Sequence, residues 1–189
     1  MPHSGGLDDR VVVRAASVGD APHVARIHRE SWRTTYAGIL PLDVIAAQAG
    51  RKSEAAWRRR LIDAPAWQVT WIAERCGEPV GIANCGDARH QLEGIEAEIY
   101  ALYVLRAHQR CGVGRALVRA CARHFVRQGQ FGFYLWVLKA NRARMFYEAL
   151  GGAEMAQKVE RLGRLHSVAQ VAYGWHDLTA LVSTPEGVC

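Results

Sequence analysis

The segment HQRCGVGRAL, residues 108–117, places two glycines between basic residues at the entrance of a helix. Beyond these glycines, apolar side chains recur every four residues from Leu117 to Phe125, which predicts a buried helical face. The first amides of a helix have no partner within it and carry positive potential. Because Gly112 and Gly114 lack a Cβ atom, phosphate oxygens can approach these amides closely. The segment therefore predicts a phosphate-binding turn between a strand and a helix.

The composition limits the classes of protein to which the chain can belong. The chain has 189 residues, and half of them are hydrophobic. This composition suits one buried core, and the length is too short for two full domains. The formal net charge of +6 fits an anionic ligand such as nucleic acid, a membrane surface or a phosphorylated cofactor. Five cysteines, without a C-x-x-C pair or His at metal-ligand spacing, indicate neither a disulfide framework nor a metal site. Since no apolar stretch reaches the roughly 20 residues of a membrane span, we expect a soluble cytoplasmic domain with reduced thiols.

Strand and helix patterns alternate along the chain in the order β-α-α-β-β-β-α-β-α-β-β. This order predicts an α+β fold, an α/β/α sandwich in which a mixed, mostly antiparallel sheet is flanked by helices. We expect one domain over residues 11–178, with flexible tails at residues 1–10 and 179–189. The near-continuous apolar run of residues 96–105 predicts the central strand of the sheet.

Further local patterns make the prediction specific. Asp20 is expected to cap the first helix and Ser53 the second. Arginines at every fourth position from Arg115 to Arg127 are expected on the solvent side of the helix that follows the glycines. The last two strands are expected to turn at residues 162–164.

Two nucleotide-binding motifs do not fit the glycine segment. A P-loop requires Gly-Lys-Ser or Gly-Lys-Thr, which the chain lacks, and a dinucleotide fingerprint requires a small residue where Leu117 stands. The remaining pattern, Gln109-x-x-Gly112-x-Gly114, resembles the pyrophosphate-binding signature of the GNAT superfamily of N-acetyltransferases. A glycine-rich helix entry without a ligand is the alternative for this segment taken alone.

Four other segments extend the resemblance over most of residues 11–178. EIYALYV (98–104) resembles the bulged central strand of the family, and LWVLKANRARMFYEALGG (135–152) resembles the strand and helix that follow it. WRTTYAGILP (32–41) and VAYGW (171–175) resemble one subgroup of small bacterial members. The resemblance implies an acetyl-CoA-dependent N-acetyltransferase that acts on a primary amine of a small molecule or peptide.

The resemblance also implies which residues bind acetyl-CoA. The splayed central strand would receive the pantetheine arm, with the acetyl carbonyl on a backbone N–H near Val104, and the amides of residues 110–115 would hold the pyrophosphate. Arg106, Arg142 or Arg144 would reach the 3′-phosphate, unless each is an ordinary solvated arginine. The implied cofactor-binding residues are Leu102, Tyr103, Val104, Gln109, Arg110, Cys111, Gly112, Val113, Gly114, Arg115 and Asn141.

Two side chains are implied to carry the chemistry. A lysine-like ammonium, with a pKa of about 10.4, must lose a proton before it attacks, and Glu98 is the candidate general base if partial burial raises its pKa. A salt-bridged Glu98 is the alternative, Glu96 on the same strand face is the alternate base, and many family members use no single base. Tyr147 is the candidate general acid for the departing thiolate, against a role in aromatic packing. Cys111 is expected to be a structural thiol, because the family transfers acetyl directly.

The acceptor side is less determined. Trp32 and Tyr36 precede the loop of residues 38–41, which borders the acceptor site in the family. We expect both to line the acceptor pocket, with core packing as the alternative, and Glu96 is a further candidate substrate contact. His28 fits the core, the surface or the substrate equally well. The identity of the amine stays open.

Two interpretations from other classes also fit part of the sequence. A non-catalytic CoA-binding sensor or partner-binding module would keep the same fold, although Glu98, Tyr147 and an intact glycine segment argue against it. A nucleic-acid binder would fit the charge, but the sequence has no aromatic-basic platform and no recognition helix. We therefore expect no nucleic acid, membrane or metal among the partners, while a homodimer is compatible with the family.

Overall fold

One seven-stranded sheet forms the centre of the fold. The computed structural model describes residues 10–51, 53–162 and 166–183. Its strands are β1 Val11–Ala15, β2 Val69–Arg75, β3 Glu78–Leu92, β4 Ile95–Val104, β5 Phe133–Leu138, β6 Ala153–Leu162 and β7 His166–Trp175. They are ordered β1-β2-β3-β4-β5-β7-β6, and neighbours are antiparallel except β4 and β5, which are parallel. The predicted α+β fold, with β4 central in a mostly antiparallel sheet, is confirmed.

Helices cover both faces of the sheet. They are α1 Ala21–Tyr36, α2 Leu42–Arg51, α3 Glu54–Ile62, α4 Val113–Arg127, α5 Arg144–Ala149 and α6 Thr179–Ser183. On one face, Ile72 of β2 and Ile82 of β3 pack in a cluster with α1 and α3. On the other face, Gly81 lies so close to α4 that an added Cβ would be 2.9 Å from Cγ1 of Val113. The predicted layering of helices on both sides of a sheet is confirmed.

Two helices are absent from the predicted element order. α2 begins directly after Pro41, whose carbonyl accepts a hydrogen bond from the amide of Ile45, and it buries Val44 in a cluster with the end of α1. The predicted order has no helix between the first helix and the one that Ser53 caps, so it omits α2. α6 occupies residues assigned to the C-terminal tail, and its Leu181 is buried in the main core.

A tight turn joins β2 and β3. Cys76 and Gly77 both have positive φ, 53° and 77°, as in the type I′ turn that matches the twist of paired strands. The connection between β6 and β7 contains residues 163–165, which lie outside the described residues. Residues 1–9 and 184–189 of the predicted tails also lie outside them.

Asp20 precedes α1 as predicted, but its carboxylate does not cap that helix. It accepts hydrogen bonds from the amide and hydroxyl of Ser17, at 2.7 and 2.8 Å, and two from the guanidinium of Arg14, each at 2.8 Å. A 3₁₀ turn over residues 18–20 comes before the helix and leaves the carboxylate facing Ser17. Bonding to Arg14 holds the pKa of Asp20 well below its usual range. Ser53 does cap α3 by accepting a backbone amide bond.

The apolar face of α4 lies where its period predicts. Leu117, Cys121 and Phe125 are fully buried. The prediction that the arginines of this helix all face solvent is wrong at Arg119, which is only 8% exposed. α4 packs against four strands and α6, so a larger part of its surface is buried than the four-residue period of its apolar side chains indicates. The apolar stem of an arginine can be buried in such a surface.

Candidate active site

The central strand separates from β5 and leaves part of its edge unpaired. The register between β3 and β4 shifts at Tyr100, which is the extra residue of a β-bulge. Within the described residues, β4 pairs with β5 only at Glu98, opposite Tyr134. The backbone from Ala101 to Val104 therefore has no strand partner on the β5 side. The structure contains the bulged, splayed strand that the family resemblance implies.

This separation opens a cavity of about 1070 Å³, which we call the large cavity. One wall is β4 from Ile99 to Val104, and the other is β5 from Leu135 to Val137. The glycine segment and residues 140–147 complete most of the lining. The predicted cofactor-binding residues that line it are Leu102, Tyr103, Val104, Gln109, Arg110, Gly112, Gly114, Arg115 and Asn141. The structure therefore gathers residues from distant parts of the sequence around one space.

Two residues in the left-handed region shape the glycine segment. Arg110 has a φ of 62°, and Gly112, directly before α4, has a φ of 77°. Left-handed residues next to a helix start can aim successive amides to one side, an arrangement that binds anions. The side-chain amide of Gln109 donates to the carbonyl of Val104 at 3.2 Å and ties the segment to β4. This geometry suits a phosphate-bearing ligand.

Gly114 and Asn141 hold α5 against the same cavity. A Cβ at Gly114 would lie 3.1 Å from the ring of Phe146, so this glycine lets the first turn of α4 approach α5. That packing role was not visible in the sequence. Asn141 accepts the amide of Ala143 at 2.9 Å through Oδ1, which fixes its side chain in the cavity lining at the start of α5.

Tyr147 lies on α5 with its ring buried in the wall of the large cavity. Burial, with a smaller contribution from Tyr36, raises the pKa of Tyr147 above its usual value. The side chain is therefore a neutral phenol at physiological pH, able to donate a proton. Tyr36 lines the same cavity, and burial raises its pKa as well. The candidate acid and one of the predicted acceptor-side residues thus share one space.

Glu98 is almost completely buried, with 1% of its side chain exposed. Its carboxylate accepts hydrogen bonds from three groups of Arg89: the backbone amide at 3.1 Å, Nε at 3.0 Å, and Nη2. The hydroxyl oxygen of Tyr134 lies 3.3 Å away. Glu98 is not among the residues that line the large cavity. The salt bridge considered as its alternative role is present, and its role as a base stays a prediction.

Four other predicted residues have side chains outside the lining of the large cavity. Glu96 is exposed at the surface, and Val113 is fully buried beneath α4. Cys111 is half-buried within the glycine segment. Trp32 packs on Tyr36 with ring centroids 4.3 Å apart, so it supports the cavity wall from behind.

The three arginines considered for the 3′-phosphate have different surroundings. Arg106 and Arg142 line the large cavity. Arg144 donates to the hydroxyl of Tyr173 at 3.1 Å and pairs with Glu154 at 3.5 Å. The first two are therefore better placed for a ligand in the cavity.

A second cavity, of about 670 Å³, was not predicted from the sequence. We call it the second cavity. Its lining includes His28, Trp57, Arg59, Arg60, Asp63, Trp67, Asn84, Arg89, Tyr100 and Ala101. Tyr100 and Ala101 line both cavities, so the bulge of β4 contributes to both walls. The one signal for it in the sequence is the run of arginines at residues 58–60 beside Trp57, a pattern that is also typical of a solvated helix face.

Metal binding and membrane insertion find no support in the described part of the chain. No group of three or more His, Cys, Asp and Glu side chains there is arranged to hold a metal ion. None of its helices combines the length and apolar character needed to cross a bilayer.

The sequence and the fold both match known proteins. The profile of the acetyltransferase (GNAT) family matches residues 24–152. The uncharacterized N-acetyltransferase YuaI of Bacillus subtilis strain 168 is 32% identical over 171 residues, which cover 90% of this chain and 96% of the relative. The PaiA N-acetyltransferase of Thermoplasma acidophilum, in complex with coenzyme A, superposes with a TM-score of 0.68 at 18% identity, covering 87% of this chain and 99% of that one.

A second solved structure extends the comparison. YncA of Salmonella typhimurium, determined with its cofactor acetyl-CoA, has a TM-score of 0.61 at 19% identity, covering 95% of this chain and 99% of that one. The two structures share the fold, while the family profile and the match to YuaI establish the family. The chain therefore belongs to the acetyltransferase (GNAT) family and is an acetyl-CoA-dependent N-acetyltransferase.

Proposed function

We propose that the enzyme transfers the acetyl group of acetyl-CoA directly to the primary amine of a small molecule or peptide in the cytoplasm. One observation carries the proposal: the large cavity brings together the glycine segment, the unpaired edge of β4 and the phenol of Tyr147. The glycine segment suits a pyrophosphate, the strand edge suits the amides of a pantetheine arm, and the phenol suits a departing thiolate.

The cofactor-binding assignment follows the lining of this cavity. The pantetheine amides pair with the edge of β4 at residues 102–104, and a backbone N–H near Val104 receives the acetyl carbonyl. The amides of residues 110–115 hold the pyrophosphate, with Cys111 and Val113 contributing backbone only. Asn141 bonds the pantetheine arm from the opposite side of the cavity.

The chemical step replaces a thioester bond by an amide bond. The neutral amine attacks the carbonyl carbon, the C–N bond forms, and the C–S bond breaks as the tetrahedral intermediate collapses. An ammonium acceptor gives up two protons in all: one passes to solvent and the other ends on the sulfur of coenzyme A. Tyr147 donates to that sulfur and is then reprotonated. Holding the amine against the carbonyl can lower the activation free energy by roughly 7–11 kcal/mol.

Proton removal from the acceptor is assigned to Glu98 acting through water. Burial shields the Glu98 carboxylate from bulk solvent, and its contacts with Arg89 fix its position on β4. Glu96, which is exposed and accepts a hydrogen bond from Gln91 at 3.1 Å, is the alternate. Replacing Glu98 by Gln removes the basic oxygen while keeping the shape, so a general base predicts a loss of kcat.

The first experiment measures the release of coenzyme A thiol from acetyl-CoA over a panel of amines. The panel contains amino acids, polyamines, aminoglycosides and short peptides, and acetyl-CoA binding is measured in parallel by calorimetry. Turnover with one class names the acceptor. Light scattering of the same preparations tests the homodimer that the family resemblance allows.

The outcome also separates catalysis from sensing. Binding of acetyl-CoA without turnover of any amine in the panel would favour a CoA-binding sensor or a protein substrate. Absence of acetyl-CoA binding would contradict the assignment of the large cavity itself.

A further inference from the structure

We propose that the second cavity binds the acceptor, and that the acceptor is an α-amino acid with an apolar side chain whose carboxylate is held by Arg89. The inference rests on the proposed function, because it names the acceptor class for the acetyl transfer described above.

The position of the second cavity fits an acceptor site. It lies on the side of β4 that faces α3, and it shares Tyr100 and Ala101 with the large cavity. An amine that binds beside these two residues is next to the strand edge where the acetyl group is proposed to lie. The volume of about 670 Å³ accommodates a small amine together with water.

The charge of the lining favours an acceptor with a carboxylate. Arg59, Arg60 and Arg89 line the cavity together with Asp63. When Glu98 is also counted, which pairs with Arg89 but is buried outside the lining, the site has three positive and two negative side chains. One unit of positive charge is left over, which suits an amine that carries one carboxylate and disfavours a polyamine.

Arg89 is the member of this set that is best prepared to bind a carboxylate. A guanidinium has five N–H donors, and the side-chain bonds to Glu98 use Nε and Nη2. The remaining donors lie on a side chain that is 59% exposed and lines the cavity. Its guanidinium carbon lies 5.2 Å from the centre of the Tyr100 ring, directly beside the bulge. A carboxylate bound there leaves its own α-amine close to β4.

Glu98 is then a positioning residue for Arg89. Its buried carboxylate holds the guanidinium through two side-chain bonds and also accepts the backbone amide of the same residue. Bonding to Glu98 raises the pKa of Arg89 above its usual value. Because Glu98 already holds Nε and Nη2 of the Arg89 guanidinium, the side chain loses less conformational freedom when its remaining donors bind a ligand.

The remaining walls suit an apolar side chain. Trp67 and Tyr100 line the cavity together with Pro65, whereas the nearby Trp57 is only 1% exposed and belongs to the core. The ring of Trp67 packs over Gly86, where an added Cβ would lie 2.8 Å away, and the hydroxyl of Tyr100 is bonded to a backbone carbonyl. These contacts hold the rings of Trp67 and Tyr100 in the cavity wall, so the rings do not fill the cavity. Aromatic walls beside an arginine match an amino acid such as phenylalanine or leucine.

The test compares three probes that differ at one group: L-phenylalanine, L-phenylalaninamide and 2-phenylethylamine. We expect R89Q to lower the ratio of kcat/KM for L-phenylalanine to kcat/KM for the amide by roughly 10- to 100-fold, the value of a charge-assisted hydrogen bond. R89K is expected to restore part of this ratio. The difference in amine basicity between the probes cancels, because each variant is compared with the wild type through the same ratio.

Two further variants sharpen the result. R58Q is the matched control, since Arg58 is on the same helix as Arg59 and pairs with Glu54 instead of lining the cavity. It is expected to keep the wild-type ratio. The positioning role of Glu98 predicts that E98Q lowers the ratio, whereas a general base alone lowers kcat for both probes by the same factor and leaves the ratio unchanged.

Each remaining outcome decides the question. A ratio that R89Q does not change overturns the inference while leaving acetyl transfer intact. If acetyl-CoA binds but no probe is acetylated, calorimetry of L-phenylalanine on the coenzyme A-loaded protein replaces the rate: binding weakened by R89Q and not by R58Q supports the inference, and absence of binding overturns it. If acetyl-CoA itself does not bind, the proposed function fails.

Discussion

The two cavities share residues of β4 but are lined by different kinds of chemical groups. The large cavity is lined in part by an unpaired strand edge, a glycine-containing turn and a helix start, which offer backbone groups to a ligand. The second cavity is lined by arginine, tryptophan and tyrosine side chains from α3, β3, β4 and the connection between α3 and β2. Backbone contacts suit a cofactor that a whole family shares, whereas side chains can differ between members and select the acceptor. The predictions below separate these two kinds of site.

The largest effect is expected from removing the phenolic hydroxyl in the large cavity. Y147F keeps the ring, whose centroid lies 6.1 Å from that of Tyr173, and removes the proton donor. Loss of a general acid lowers kcat by about 100-fold or more, so we expect a decrease of that size with little change in acetyl-CoA affinity. Steady-state kinetics and calorimetry measure the two quantities.

Y173F is the matched control for that variant. The Tyr173 hydroxyl bonds Arg144 and Glu148, and Tyr173 does not line the large cavity. We expect kcat to change by no more than a few-fold. Equal losses in Y147F and Y173F would rule out a specific role for the Tyr147 phenol.

The next largest effect distinguishes two glycines at the two ends of α4. Gly112 and Gly129 have φ values of 77° and 78°, so Ala at either position costs about 1–2 kcal/mol of stability. Only Gly112 lines the large cavity. We expect G112A to weaken acetyl-CoA binding by roughly tenfold, or about 1.4 kcal/mol, and G129A to leave it unchanged. Similar binding by the two variants would argue against an anion site in the glycine segment.

A smaller effect is expected from crowding the second cavity. In G86A the new Cβ would meet the Trp67 ring at 2.8 Å and the Tyr100 hydroxyl at 2.9 Å, so a cavity wall has to move. Overpacking of this kind costs about 1–3 kcal/mol of stability. We expect the KM of the acceptor to change several-fold while the Kd of acetyl-CoA stays the same. A change confined to acetyl-CoA binding would place the acceptor elsewhere.

The smallest effect concerns the pH dependence of stability. Burial raises the pKa of Tyr36, Tyr103 and Tyr147, which all line the large cavity. The folded state therefore holds these protons more tightly than the unfolded state, so the associated stability is complete below about pH 10 and is lost as the pH rises toward the folded-state pKa values. Urea unfolding between about pH 8 and pH 11 should give a falling midpoint, with a shallower fall in Y36F. A flat profile would mean that these hydroxyls are not shielded from water.

The sequence predicts the large cavity better than the second one because its signals are local. The spacing of Gln109, Gly112 and Gly114 and the apolar period of α4 lie within one short segment, and the structure places them as expected. The second cavity depends on long-range register. Arg89 reaches Glu98 only because β3 and β4 form a hairpin, and α3 comes near it only through packing on α1.

The errors in the fold prediction have the same origin. The burial of Arg119 depends on what packs against α4, and a period along the helix does not contain that information. Asp20 has the residue type of a helix cap, but its partner Arg14 comes from the preceding strand. Both positions are decided by neighbours that the local pattern does not specify.

Hydrogen exchange with and without acetyl-CoA tests the central claim most directly. The account predicts that acetyl-CoA slows amide exchange in the glycine segment at residues 110–115 and along β4 at residues 102–104. It also predicts little change in α3, which belongs to the second cavity. Protection centred on α3, or no protection in the glycine segment at saturating acetyl-CoA, would contradict the assignment of the large cavity as the acetyl-CoA site.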